Sequence, residues 1–400
     1  MRLIVYLALR DLLHERVQLA CNIAVLAGVI VPLMVLFGVK NGVYDALVGR
    51  LLSDPRSLQI DTLGNESFGP GDAELVRGWE ESGFVTLKTR SVFDYVNIRV
   101  EGGRTRREAL LVPSGTGDPN LPTSLTLGDG EAAVSAGLAR QLDITVGQRI
   151  QAVTQAEDRP RQLLQTLTVV AVLPEARAQG RSVLASLEVL DRVEAFYDAY
   201  ALPEFGITAG RPLAERSVEF EGLRSFARRL EDLAPLQARI ESEFGIGTEA
   251  RTAEVSAILG LGKNLDLAMI FTAAVAGLGL AAALVFGFWG EIVRKRRNIA
   301  ALALLGIGGR ALWLYPVIQS LVAGVLGLVV SFLLFWGAAE FAERLFDTGL
   351  TAGSRLVSLG FGQLAAISAL VVVFVVVTSL FAARDASQTD PAEVLREGAL

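Results

Sequence analysis

VQLACNIAVLAGVIVPLMVLFGV, residues 17–39, runs from Arg16 to Lys40 without one charged side chain. An α-helix rises about 1.5 Å per residue, so roughly 20 apolar residues cover the hydrocarbon of a bilayer. The run meets that length and reads as a first transmembrane helix. It exceeds the apolar region of a cleaved signal peptide, about 7–15 residues. Most of it follows Cys21, which argues against a lipoprotein attachment site there. Cys21 reads as a small buried hydrophobe rather than a reactive thiol. As the single cysteine it allows no intramolecular disulfide, so any domain outside the cytoplasm must be held by its own core.

Three more charge-free runs lie at 267–290, 311–339 and 356–383, and read as transmembrane helices 2, 3 and 4. The last two exceed a single crossing, so tilt or an extension must absorb the excess. Composition agrees with this mosaic: 52% of the 400 residues are hydrophobic and mean hydropathy is +0.44, yet 20% are charged, so polar and apolar material is segregated along the chain. The expected fold is an integral membrane α-helical protein, four transmembrane helices, with a large α+β extracytoplasmic domain at 40–266. Arg294, Lys295, Arg296, Arg297 and Arg310 crowd the connection at 291–310, and Arg2, Arg10 and Arg16 precede the first run. The connection at 340–355 is led by Glu340, Glu343 and Asp347, opposed by Arg344 and Arg355. Positive flanks stay in the cytoplasm, so both termini are read as cytoplasmic.

The runs contain no Asp, Glu, Lys, Arg or His, the residues from which proton relays and coupling-ion sites are built. Nor do they show the paired, interrupted segments of an inverted-repeat transporter. Gly262-Lys263-Asn264 fails as a P-loop, because Ala257 stands at the leading glycine position and Asn264 where a hydroxyl is needed. The lone His14 has no second histidine or cysteine near it to ligate a metal. Glu80-Glu81 and Glu231-Asp232 read as solvated faces, and no Gly-x-Ser-x-Gly elbow occurs. The chain is therefore read as no enzyme, with no bound cofactor and no metal, and with a net charge of -6 it is a poor nucleic-acid binder.

In the domain at 40–266, β-branched and aromatic clusters predict strands at 58–63, 95–100, 110–112, 149–153 and 167–173. Helical spacing predicts helices at 72–81, 134–142, 189–200 and 222–244, the last from Leu223, Phe226, Leu230 and Leu233. The mixture is α+β in two lobes. On the cytoplasmic side, residues 1–16 read as a membrane-surface helix with Leu3, Ile4, Leu7 and Leu12 on its apolar side, or else as an extension of the first span. Ile299, Leu302, Ala303 and Leu305, ended by Gly306, make a short apolar helix suited to a groove on another protein, or else the start of the third span. Asp390 as N-cap, Pro391 at the first helical position and Glu393 three after the cap write a helix start into the terminal segment 384–400.

Three of these segments, EIVR (291–294) with IAALALLG (299–306), VSAGLARQL (134–142) and DPAEVLR (390–396), resemble signatures of the MacB/FtsX-type (type VII) ABC transporter permease family, which includes the LolC/LolE-like lipoprotein-releasing permeases. The resemblance covers essentially the whole chain. It implies a permease subunit of the bacterial inner membrane, paired with a second copy or a homologous permease and with two copies of a separate ABC ATPase that would hold ATP and Mg. Membrane lipid and a periplasmic adaptor or carrier protein are further implied partners. It also implies that 291–310 is the ATPase-coupling segment, with Glu291, Arg294, Ile299, Leu302, Ala303, Leu305 and Gly306 as its contact residues. Family members work by mechanotransmission, exporting or extracting a hydrophobic cargo such as lipoprotein or lipid. An FtsX-like regulatory scaffold acting on a periplasmic partner is the alternative role that the same resemblance implies.

Overall fold

The computed structural model describes residues 2–64, 66–90, 94–156, 162–217, 219–304, 309–345 and 357–386. Helices α1 (Arg2–His14), α2 (Arg16–Ser53), α3 (Pro70–Arg77), α4 (Ala136–Leu142), α5 (Leu187–Tyr197) and α6 (Leu233–Phe244) precede three long ones. These are α7 (Thr252–Leu304), α8 (Gly309–Leu345) and α9 (Phe361–Ala386). Packing divides the chain into two units, Met1–Leu47 with Leu261–Leu400, and Val48–Gly260. The sequence boundaries at 40 and 266 mark where charge begins, not where helices stop: α2 continues to Ser53 and α7 already starts at Thr252.

In the helical unit, four segments are long and apolar enough to cross a membrane: Arg16–Ser53, Thr252–Gly287, Val317–Arg344 and Phe361–Leu380. Leu26, Ile30 and Met34 of α2 pack with Leu280 and Leu284 of α7, Leu328 of α8 and Val371 and Val375 of α9. Glycine permits the close approach: a Cβ on Gly327 would stand 2.7 Å from Leu26 Cδ1, and one on Gly324 3.1 Å from Val375. Outside this core, Leu267, Phe271, Leu278 and Trp336 are exposed, an apolar surface that water alone would not tolerate. Cys21 is exposed as well, against the expectation of burial.

Polar contacts sit at the two ends of these helices. Lys40 and Asp266, which bracket the first two charge-free runs, form an ion pair. Near them, Asn41 Nδ2 donates to Gln363 Oε1 at 3.0 Å, and Ser358 Oγ donates to Asp45 Oδ2 at 3.2 Å. At the other end, Asp11 of α1 accepts from Tyr315 Oη at 2.7 Å and from Gln319 Nε2 at 3.0 Å. Helix α1 therefore packs on α8 through Ala8 and Leu12, leaving Tyr6, Leu9 and Leu13 exposed. Glu15 separates α1 from α2, yet Glu15 N donates to Asp11 O and Leu19 N to Glu15 O, so i to i−4 bonding carries on across the junction.

The unit Val48–Gly260 has two lobes. In the first, β1 (Gln59–Thr62), β2 (Ser82–Lys88), β9 (Gly222–Ala227) and β10 (Thr248–Ala250) form a sheet in the order β10-β1-β9-β2, antiparallel throughout. Ile60, Val76, Leu223, Leu233 and Ile240 are the centre of its core, which Leu51 of α2 and Val255 of α7 also enter. In the second, β3 (Tyr95–Val100), β4 (Arg107–Ser114), β5 (Glu131–Ser135), β6 (Arg149–Thr154), β7 (Leu163–Leu173) and β8 (Ser182–Ser186) close a barrel in the order β3-β4-β8-β5-β7-β6. Its pairs are antiparallel except β4 with β8 and β5 with β7. Ile98, Leu111, Val134, Ile150 and Leu167 join Leu138 of α4 and Phe196 of α5 in one core. The barrel lobe is thus an insertion between β2 and β9 of the sheet lobe.

The two-lobed α+β expectation holds, but two assignments change. Residues 222–244 are not one helix: β9 lies between β1 and β2 with all six residues buried, and α6 starts only at Leu233. A strand followed by a helical turn reproduces the helical spacing of Leu223, Phe226, Leu230 and Leu233, an ambiguity inherent in short apolar runs. Residues 134–142 likewise begin as strand, with Val134 and Ser135 ending β5. Ser135 is then the N-cap of α4, its Oγ accepting from Leu138 N at 3.3 Å and from Ser182 N at 3.0 Å while donating to Gly180 O at 2.9 Å.

Gly137 accounts for the glycine in VSAGLARQL. A Cβ there would stand 2.4 Å from the carbonyl oxygen of Gly180, a backbone atom that cannot swing aside. Gly137→Ala should therefore lower stability by about 1–3 kcal/mol, the usual cost of overpacking, despite the better helix propensity of alanine. Chemical denaturation followed by far-UV circular dichroism measures this, and an unchanged or raised midpoint would contradict the close approach.

Candidate functional site

The segment 291–304 is helical and belongs to α7, which runs from Thr252 to Leu304 without interruption. It is neither a separate short helix nor the start of α8, which begins at Gly309. Glu291, Arg294, Ile299, Leu302 and Ala303 thus occupy the last turns of the helix that carries the second charge-free run. Leu305 and Gly306 lie outside the described residues, as do residues 387–400 with the DPAEVLR segment. Among the described residues no group of three or more His, Cys, Asp and Glu side chains is placed to hold a metal.

The strongest electrostatic arrangement lies in the unit Val48–Gly260, where the chain passes between lobes. Residues 89–94 lead from β2 to β3 and residues 198–221 lead back from α5 to β9. Arg90 of the first connector bonds Glu194 and Asp198. Arg216 of the second stands 2.8 Å from Asp191 Oδ1 and 3.4 Å from Glu194 Oε2. Asp191, Glu194 and Asp198 are spaced three and four apart, which aligns them along one side of α5. Both connectors are therefore fastened to one row of carboxylates.

Burial within this clasp pushes the Glu194 carboxyl above its ordinary range, while Arg90 and Arg216 pull it back. The hydrogen bond to Asp198 raises Arg90 further. Arg211 stacks on Tyr200, its guanidinium carbon 4.3 Å from the ring centre, with Arg216 at 5.8 Å. Sequence reasoning does not single out this clasp, although Asp191-x-x-Glu194 on a predicted apolar helix is a visible signal.

Asp94 ends the first connector. Burial pushes its carboxyl up to about 6, against a hydrogen bond from Thr89 and the charge of Lys88, while Glu221 and Glu194 raise it further. The folded state thus holds this proton more tightly than the unfolded chain, whose value is near 3.8. The associated stability is fully present below about 3.8 and is lost as pH rises through about 6. Wild-type thermal stability should rise between pH 7.5 and 5.5. Asp94→Asn should flatten that rise and stabilise the protein at pH 8 by about 1–2 kcal/mol. Scanning calorimetry against pH checks both, and an unchanged slope in the variant would exclude Asp94 as the titrating group.

Comparison of the sequence with known protein families and with curated proteins gives no match.

Proposed function

We propose that this chain is the membrane-embedded permease subunit of an ABC transporter of the MacB/FtsX type, driven by a separate ATPase. The observation that carries the reading is α7. One helix contains Val255, packed in the core of the α+β unit, the charge-free run 267–290, and the resembling segment 291–304. A push on the last turns of such a helix has a continuous hydrogen-bonded path to follow. The lack of charge in the four runs supports mechanical transmission over conduction. The Lys40–Asp266 pair supports antiparallel spans whose ends lie at one level. Exposed Tyr6, Leu9 and Leu13 on α1 support a helix lying on the inner membrane surface.

In this reading two ATPases close on the cytoplasmic ends of a permease dimer, and the movement reaches the α+β unit, where the clasp on α5 holds the two lobe connectors together. Cargo is a lipoprotein, lipid or other hydrophobic molecule taken from the outer leaflet or periplasm. Affinity purification of the full chain in a mild detergent should recover a nucleotide-binding subunit. Recovery of the chain with no ATPase, under conditions that keep it dimeric, would overturn the proposal.

A further inference from the structure

A groove of about 690 Å³ opens between the two lobes of the α+β unit, within the ~300–1,000 Å³ of cavities that hold drug-sized molecules. One wall is α3 with β2, through Pro70, Glu74 and Arg77. The other is the start of α5 with two helical turns of the second lobe connector, Pro203–Phe205 and Leu213–Glu215. The connector wall is held by its own bonds. Leu202 N donates to Ile207 O at 2.8 Å, Ile207 N returns a bond to Leu202 O at 3.1 Å, and Arg211 N donates to Ala199 O at 3.0 Å. Gly210 permits that approach, because its φ is +135° and a Cβ there would stand 2.4 Å from Ala199 O. The surface is therefore preformed, which lowers the cost of binding to it.

The floor of the groove is apolar and its rim is acidic. Pro70, Leu187, Pro203, Phe205 and Leu213 supply the apolar surface, and Leu213 is 47% exposed. Around them stand five carboxylates, Glu74, Asp129, Glu188, Asp191 and Glu204, against two guanidiniums, Arg77 and Arg192. Both guanidiniums are already paired, Arg77 with Glu74 and Arg192 with Asp129, while Asp191 is held by Arg216. Glu188 and Glu204 are exposed and have no cation within ion-pair distance among the described residues. Charge of one sign beside a low-dielectric wall focuses the field and draws in the opposite charge. A simple cation would meet the rim and leave the floor wet, and among the described residues no three ligands are placed to hold a metal. A purely apolar molecule would cover the floor and leave the rim unmatched.

We infer that this groove docks an extended segment of another polypeptide in which basic residues flank a large apolar side chain. Glu188 and Glu204 take a cation on the barrel side. Glu74, whose exposed pair with Arg77 is a weak surface contact, takes one on the sheet side. The apolar side chain lies against Phe205 and Leu213. Carboxylates on both walls thus ask for cations on two sides of one apolar body, which consecutive side chains of a peptide supply. The docked segment touches both lobes and the connector between them. The inference does not rest on the transport reading, since docking requires neither an ATPase nor cargo movement.

Isothermal titration of the full chain in dodecyl maltoside micelles with the peptide acetyl-Lys-Phe-Leu-Lys-amide tests this, with protein-free micelles as the blank. The comparison probes are the same peptide with glutamine for both lysines, the peptide with serine for phenylalanine and leucine, and spermidine. The lysine peptide should bind saturably with Kd below about 1 mM, and about tenfold more tightly than either altered peptide. Raising salt from about 50 to about 500 mM should weaken it several-fold. Glu188→Gln combined with Glu204→Gln should weaken it about fivefold or more, and Leu213→Ser about threefold. All three side chains are exposed, so these variants should melt like the wild type. No saturable binding up to about 5 mM, equal affinity for the glutamine peptide, spermidine bound as tightly as the lysine peptide, or unchanged affinity in the double variant would each overturn the assignment.

Discussion

Glu194→Ala is expected to destabilise the α+β unit by about 2–4 kcal/mol. The carboxylate is 1% exposed and serves both lobe connectors at once. Removing it leaves Arg216, itself 5% exposed at the side chain, with Asp191 as its one remaining carboxylate among the described residues, so a buried cation loses one of its two counter-charges. Arg90 is 42% exposed at its side chain and can recover solvation, which keeps the effect below the upper end for a broken buried ion pair. Glu194→Gln retains the shape and one acceptor, and should lose less. Urea denaturation separates the two variants. A loss below about 0.5 kcal/mol in the alanine variant would mean that the clasp behaves as an ordinary surface ion pair.

Under the proposed permease role, Leu302→Asp is the second large effect, on coupling instead of stability. Residue 302 lies within the last turns of α7, and a carboxylate in an apolar helix-in-groove contact leaves a charge without a partner. Copurifying ATPase activity should lose its dependence on the permease, and cargo output should drop about tenfold or more, corresponding to at least about 1.4 kcal/mol of contact energy. A chain that served only as a membrane-anchored receptor would keep its output in this variant, so the experiment separates the two roles. Expression and helicity should match the wild type, since a single substitution in the last turn of a long helix has little effect on folding.

Hydropathy makes the layout of the long helices legible, because a charge-free run of 20 or more residues is rare outside a membrane span. The helices that carry these runs, α2, α7, α8 and α9, accordingly lie where the runs place them. Their polar extensions are not legible in this way, since Asn41 to Ser53 and Thr252 to Asp266 both reach the core of the sheet lobe, through Leu51 and Val255, a contact that no local pattern announces. Strands β3 and β6 are readable from alternation, whereas β2, β5, β8 and β10 are not. Strands β5 and β8 are almost wholly buried, so no polar face marks their period. The clasp is hidden for a related reason: Glu194 meets Arg90 and Arg216 only after the barrel has been inserted, and sequence distance conceals both partners.

That insertion also orders events during synthesis. Strand β9 is the central partner of β1 and β2, yet the entire barrel is translated between β2 and β9. At ordinary elongation rates β2 waits on the order of ten seconds for its neighbour. The barrel, whose six strands are consecutive in the chain, can close on itself while the earlier lobe is still an unpaired hairpin half. A nascent chain stopped before residue 222 would therefore present one finished lobe and two orphan strands, the form in which quality-control proteases would first meet it.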